Sequence, residues 1–108
     1  MPPKKILEKQ HVEDPTCAWA RRNGVALVYK MATVYDRSWP DRMFLIPGGR
    51  PLFIEFKRPG CKPTPKQQHR IDELRELGYD VEVCDSKEQG IAAVRAALQA
   101  ASVHDASD

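Results

Sequence analysis

No apolar run in this chain approaches the roughly 20 residues needed to cross a bilayer, and the opening Met-Pro-Pro-Lys-Lys lacks the apolar stretch of a secretory leader. A soluble, cytoplasmic protein is expected. Cysteine is scarce: Cys17, Cys61 and Cys84 are an odd number at wide spacings with no Cys-x-x-Cys pair, which excludes a disulfide framework and a zinc ribbon. His11, His69 and His104 are isolated, with no second His or Cys at ligand spacing, so a soft-metal site is excluded as well. Surplus charge is also small, 17 basic against 15 acidic residues for a net +2, and on its own it says nothing about nucleic acid.

With 108 residues, 42% of them hydrophobic, the chain can bury one core and not two. Its charge is polarised. Between Arg50 and Arg70 the balance is +5 (six bases, one acid), and between Glu76 and Asp108 it is −5 (seven acids, two bases). A basic middle of this size fits a phosphate-rich partner and fits a solvated surface.

Residues 1–11 form a polar, lysine-rich segment, either frayed or a first helical turn. Asp14-Pro15 predicts a helix start, with Asp14 as N-cap and Pro15 at the first helical position, ending at Asn23-Gly24. Ala26 to Met31 predicts a strand. Met43 to Ile46 and Leu52 to Lys57 predict two more, joined as an antiparallel hairpin by Pro47-Gly48-Gly49-Arg50. Thr64-Pro65-Lys66-Gln67 has the form of a capping box opening a helix, with Ile71, Leu74 and Leu77 as its apolar stripe and Gly78 as its stop. Tyr79 to Cys84 alternates as a fourth strand, and Ser86 with Gln89 opens a last helix carrying Ile91, Val94 and Leu98. Residues 101–108 are expected to be a disordered tail. The order is αβββαβα, an α/β fold with helices packed on a mixed sheet.

Chemistry is concentrated in the third strand. Side chains alternate, so Leu52, Ile54 and Phe56 share one face while Phe53, Glu55 and Lys57 share the other. Charges on such an apolar strand must be paired or exposed at the sheet edge, because burying them singly costs several kcal/mol. A structural Glu-Lys pair satisfies that requirement. Asp41 adds a second possibility: it lies seven residues before Gly48 and Glu55 seven after, so a hairpin centred on Gly48 sets the two carboxylates opposite each other. A slip of one residue separates them. Two carboxylates and a lysine at one point suit a hard cation such as Mg²⁺, with Mn²⁺ able to substitute, and metal-assisted phosphodiester hydrolysis.

Pro40-Asp41 followed by Glu55-Phe56-Lys57 resembles the bipartite signature of the PD-(D/E)XK nuclease superfamily. In wider context, Val12-Glu13, Gly24, Lys30, Pro40-Asp41-Arg42, Phe53 to Gly60, Lys62-Pro63-Thr64-Pro65-Lys66-Gln67, Leu74 and Gly78 resemble the virus-type replication-repair nuclease (VRR-NUC) domain, over residues 12–100. The resemblance implies a restriction-endonuclease-like core. It implies that Asp41, Glu55 and the Phe56 carbonyl bind the metal, that Glu13 completes the site, that Lys57 positions or activates water, and that Gln67 lines the site. Lys30, Arg42, Arg58, Lys62 and Lys66 are then DNA-binding candidates. Bland readings stand beside these: Glu13 as a charge near a helix N-terminus with Glu8 competing for its role, Gln67 as a cap only, Lys30 and Arg42 as surface charges.

The function implied is a metal-dependent endonuclease on structured DNA, of four-way-junction resolvase type, acting as a homodimer in phage or bacterial replication and repair. The alternatives are a flap or end-processing nuclease and a non-catalytic DNA-binding subunit of a larger nuclease complex. Tyr35 and Trp39, in the loop from Ala32 to Pro40, are the aromatic candidates for an interface, for stacking on DNA, or for packing under the loop.

Overall fold

The turn at Pro47-Gly48-Gly49-Arg50 sets the frame: Gly48 takes a left-handed φ of 68° there, a conformation that favours glycine. In the computed structural model, which describes residues 8–106, this turn joins β2 (Arg42–Leu45) to β3 (Pro51–Phe56). The pairs run from Leu45 opposite Pro51 to Arg42 opposite Ile54. Strand β1 (Val28–Lys30) adds antiparallel to β2, and β4 (Asp80–Cys84) adds parallel to β3, giving a four-stranded sheet in the order β1-β2-β3-β4.

Strand alternation divides the apolar residues between two layers. Phe44, Leu52, Ile54 and Phe56 face one side and bury against Val12, Cys17 and Ala20 of the first helical stretch and Val94 and Ala101 of α3 (Lys87–Ala106). Phe53 and Val81 face the other side, against Ile71 and Leu74 of α2 (Pro65–Glu76), with Met31, Trp39 and Met43 packed around them. The α/β sandwich and its αβββαβα order are those the sequence predicts.

Thr64 and Gln67 close a reciprocal capping box at the start of α2, with Pro65 in its first turn, where the missing N–H costs nothing. The stripe of α2 is shorter than predicted: Ile71 and Leu74 are buried, while Leu77 is exposed because the helix has already ended at Glu76. Helix α3 nests on the first helix through a close approach. A Cβ at Gly90 would collide with the Thr16 hydroxyl, which itself donates to the Val12 carbonyl at 2.8 Å.

Both ends of the fold correct the sequence reading. Helical structure starts before Asp14: a π-helical segment, Lys9–Glu13, runs directly into α1 (Asp14–Arg22), and Asp14 is itself helical, donating its N–H to the Lys9 carbonyl. The widened turn lies just ahead of Pro15, where a tight α-turn would press the preceding carbonyl against the proline ring. Asp14 is therefore not an N-cap. At the other end α3 continues to Ala106 and buries Ala101. A run of Ala with Leu98 holds helix there, so residues 101–106 are not a disordered tail. Residues 1–7 and 107–108, which hold the remainder of the polar N-terminal segment and of the tail, lie outside the described residues.

Candidate active site

One step beyond the Arg42–Ile54 pair, the same register brings Asp41 opposite Glu55 on the α2 face of the sheet. The Asp41 carboxylate accepts the backbone N–H of Phe56 at 2.8 Å, which ties it to β3 beside Glu55. The Phe56 ring is buried in the opposite layer, as alternation requires.

Glu55 is 1% exposed. Its Oε2 lies 3.0 Å from Lys57 Nζ, whereas Oε1 is buried without a hydrogen-bond partner. Burial, and then the neighbouring Asp41 charge, raise the Glu55 pKa to about 7 even though Lys57 works in the opposite direction. Lys57 Nζ also donates to Gln67 Oε1 at 2.8 Å. That same oxygen accepts the Thr64 N–H at 2.9 Å. Gln67 therefore caps α2 and, through the same oxygen, holds the Lys57 ammonium.

A cleft of about 290 Å³ opens beside this group, lined by Glu8, Lys30, Arg37, Asp41 and Gln67 among others. Burial, followed by the Asp41 charge, pushes the Glu8 carboxyl above the ordinary range. Glu13 does not line the cleft. Its Oε2 accepts Arg42 Nε at 2.6 Å, a pair largely shielded from solvent. Arg42 follows Asp41 on a strand, so its side chain leaves from the other face. In this structure Glu13 is committed to Arg42, and Arg42 is correspondingly not a free surface cation. Lys30, Arg58, Lys62 and Lys66 are exposed, as DNA-binding candidates must be.

Among the described residues no three of His, Cys, Asp and Glu are gathered tightly enough to hold an ion by themselves. Cys17 and Cys84 are buried and Cys61 is exposed, all three as free thiols. Burial pushes the Cys84 thiol up to about 12, so it offers no thiolate to a soft metal. The oxygen donors at the cleft are carboxylates, the chemistry of hard cations.

Sequence reasoning gave Glu8 only as a competitor to Glu13, and it missed Arg37. The signal for Glu8 was its position one wide helical turn before Glu13. Arg37 sits in an irregular loop, where no periodicity marks which side chains turn inward.

The VRR-NUC domain model matches residues 4–88, a span that takes in Glu8 and every residue of the cleft. This chain belongs to the VRR-NUC family. A protein of Acyrthosiphon pisum secondary endosymbiont phage 1, carried under the name "Putative nuclease p44", is 33% identical over 84 residues, covering 78% of this chain and 89% of its own length. A solved structure described as a VRR_NUC domain superposes with a TM-score of 0.61 at 25% identity, over 74% of this chain and 90% of that one. The VRR-NUC match starts ahead of α1 and takes in the whole π-helical segment Lys9–Glu13. No helix among the described residues is long and apolar enough to cross a membrane.

Proposed function

We propose that this VRR-NUC protein is a divalent-metal-dependent endonuclease that hydrolyses phosphodiester bonds in branched DNA. The observation that carries the reading is the buried, partnerless Oε1 of Glu55 next to the Asp41 carboxylate. An unsatisfied buried acceptor costs about 1–3 kcal/mol, and more when charged. Two carboxylates side by side also repel. A hard cation between them removes both costs, and Mg²⁺ needs only one or two protein carboxylates because it retains water. Asp41 and Glu55 would hold it, with the Phe56 carbonyl completing the set as the family resemblance implies. When bound, the ion supplies Lewis acidity toward the scissile phosphate.

The chain's own groups do the rest. Lys57 has two of its three N–H donors committed, to Glu55 and Gln67, and the third remains for the attacking water or for charge developing on phosphate. Gln67 fixes the direction of that ammonium. Glu8, on the rim of the cleft, is the helix acid available to orient water, the role that Glu13 forfeits to Arg42. Lys30, Arg58, Lys62 and Lys66 supply phosphate contacts, which set orientation without reading sequence. One chain carries one such site, and resolving a four-way junction takes two symmetric cuts, so a homodimer is the assembly this substrate requires.

The test is cleavage of labelled single-stranded, duplex, flap and four-way DNA with Mg²⁺, with Mn²⁺ or with chelator, alongside light scattering. Paired symmetric cuts in the junction, dependent on metal and made by a dimer, support the reading. Cleavage that persists in chelator refutes the metal requirement. A monomer that cuts only flaps or ends refutes the junction assignment.

A further inference from the structure

Tyr35 is 99% exposed and its neighbour Val34 is 80% exposed, at the tip of the loop that forms one wall of the cleft. A lone exposed aromatic is ordinary. This one is held out by a built scaffold. The Thr33 N–H donates to the Asp36 carbonyl at 3.1 Å, and the Asp36 N–H returns a bond to the Thr33 hydroxyl at 3.0 Å, which pinches Val34 and Tyr35 into a closed tip. The Asp36 carboxylate accepts the Ser38 N–H at 2.9 Å and also the Ser38 hydroxyl. Arg70 of α2 then fastens the loop: it lies 3.8 Å from Asp36, donates to Ser38 Oγ at 3.3 Å and stacks over the Trp39 ring at 4.8 Å. Trp39 is thereby committed to packing, leaving Tyr35 as the free ring.

We infer that Tyr35 is a base-stacking finger that selects DNA with an unstacked nucleotide next to the scissile phosphate; this rests on the nuclease reading above. An aromatic ring can take a base face only where the neighbouring base has vacated it, at a branch point or an open end, because in continuous duplex both faces are already stacked. The same loop contributes Arg37 to the cleft, with Lys30 on the adjoining strand, so a nucleotide on Tyr35 has cations for its phosphates. Presenting the ring on a fastened loop removes the cost of ordering it on binding.

The experiment uses the full chain and a forked DNA carrying 2-aminopurine at the branch nucleotide, titrated in chelator so that no strand is cut. Wild-type protein, Y35F and Y35W should quench the fluorescence, and Y35A should not. With Mg²⁺, Y35A should lose about tenfold in forked over continuous-duplex cleavage, with its thermal melt unchanged because Tyr35 packs on nothing. An identical quench from Y35A, or an unchanged cleavage ratio, overturns the inference. So does loss of self-association in Y35A with its DNA response intact, which would place Tyr35 between copies of the chain. Failure of the wild type to cut any DNA refutes the nuclease reading instead, and the quench still decides whether Tyr35 stacks.

Discussion

The Asp41 carboxylate accepts the backbone N–H of Phe56 at 2.8 Å, so one acid of the site is fastened to the strand that carries the other. This bond fixes the spacing of Asp41 and Glu55 through backbone, with Asp41 lining the cleft and Glu55 buried beside it. It also forces two negative charges to be neighbours in a buried place, from which a pH dependence follows.

In chelator, thermal stability should fall as pH rises from about 5 to about 8. Glu55 titrates near 7 in the folded chain against 4.5 for an ordinary glutamate. The folded state therefore holds the proton more tightly through this window, and its stability is greatest below the lower value and lost through the upper one. A shift of this size is worth about 3 kcal/mol. Glu55→Gln should flatten the profile and melt higher than wild type at pH 8. Saturating Mg²⁺ should reverse the trend for wild type alone, because the ion competes with the proton. Melting curves at several pH values check all three.

Lys57→Ala should lower cleavage more than about 100-fold while DNA affinity stays within about threefold, since phosphate contacts are spread over many side chains. Gel-shift titration in chelator beside single-turnover cleavage separates the two. Undiminished cutting would remove Lys57 from the chemistry.

Glu8 and Glu13 should part company. Glu8→Gln should depress cleavage with little change in melting temperature. Glu13→Ala leaves Arg42 shielded and unpaired, and should cost about 3 kcal/mol of stability. Urea unfolding of both variants tests the assignment, and equal stability losses would contradict it.

Gly90→Ala should destabilise the chain by about 1–3 kcal/mol, because the new methyl meets the Thr16 side chain where α3 crosses α1. Thr16→Ala in the same chain should recover part of that loss. A double-mutant cycle on unfolding free energies measures the coupling.

Much of this site was legible because local chemistry set it. The Pro-Gly-Gly turn marks Gly48 as the candidate centre, and once the structure sets the register there, the facing of Asp41 and Glu55 is arithmetic. The capping box at Thr64 places Gln67, and strand alternation places Lys57. What escaped depends on contacts between distant segments. Arg42 reaches Glu13 across 29 positions of sequence, and no pattern in either segment announces that pairing. The π-turn that sets Glu8 at the cleft is a response to Pro15, which by itself reads as an ordinary helix start. Trp39 looks free in its loop until Arg70 of α2 covers it. The last helical turns, 101–106, have the small and polar residues of a tail, and the buried Ala101 that anchors them is visible only once α3 is docked.

The oxygen of Gln67 that caps α2 is the same oxygen that holds the lysine of the site. A helix that has not closed its first turn cannot aim Lys57, although the sheet can be complete without it. Nicking activity is therefore a stricter witness of a finished fold than circular dichroism or compactness, and it should vanish at lower denaturant than either. On the nuclease reading proposed above, the arrangement would be fail-safe: a half-made or heat-damaged copy would still meet nucleic acid through its spread of cations and would leave the strand whole.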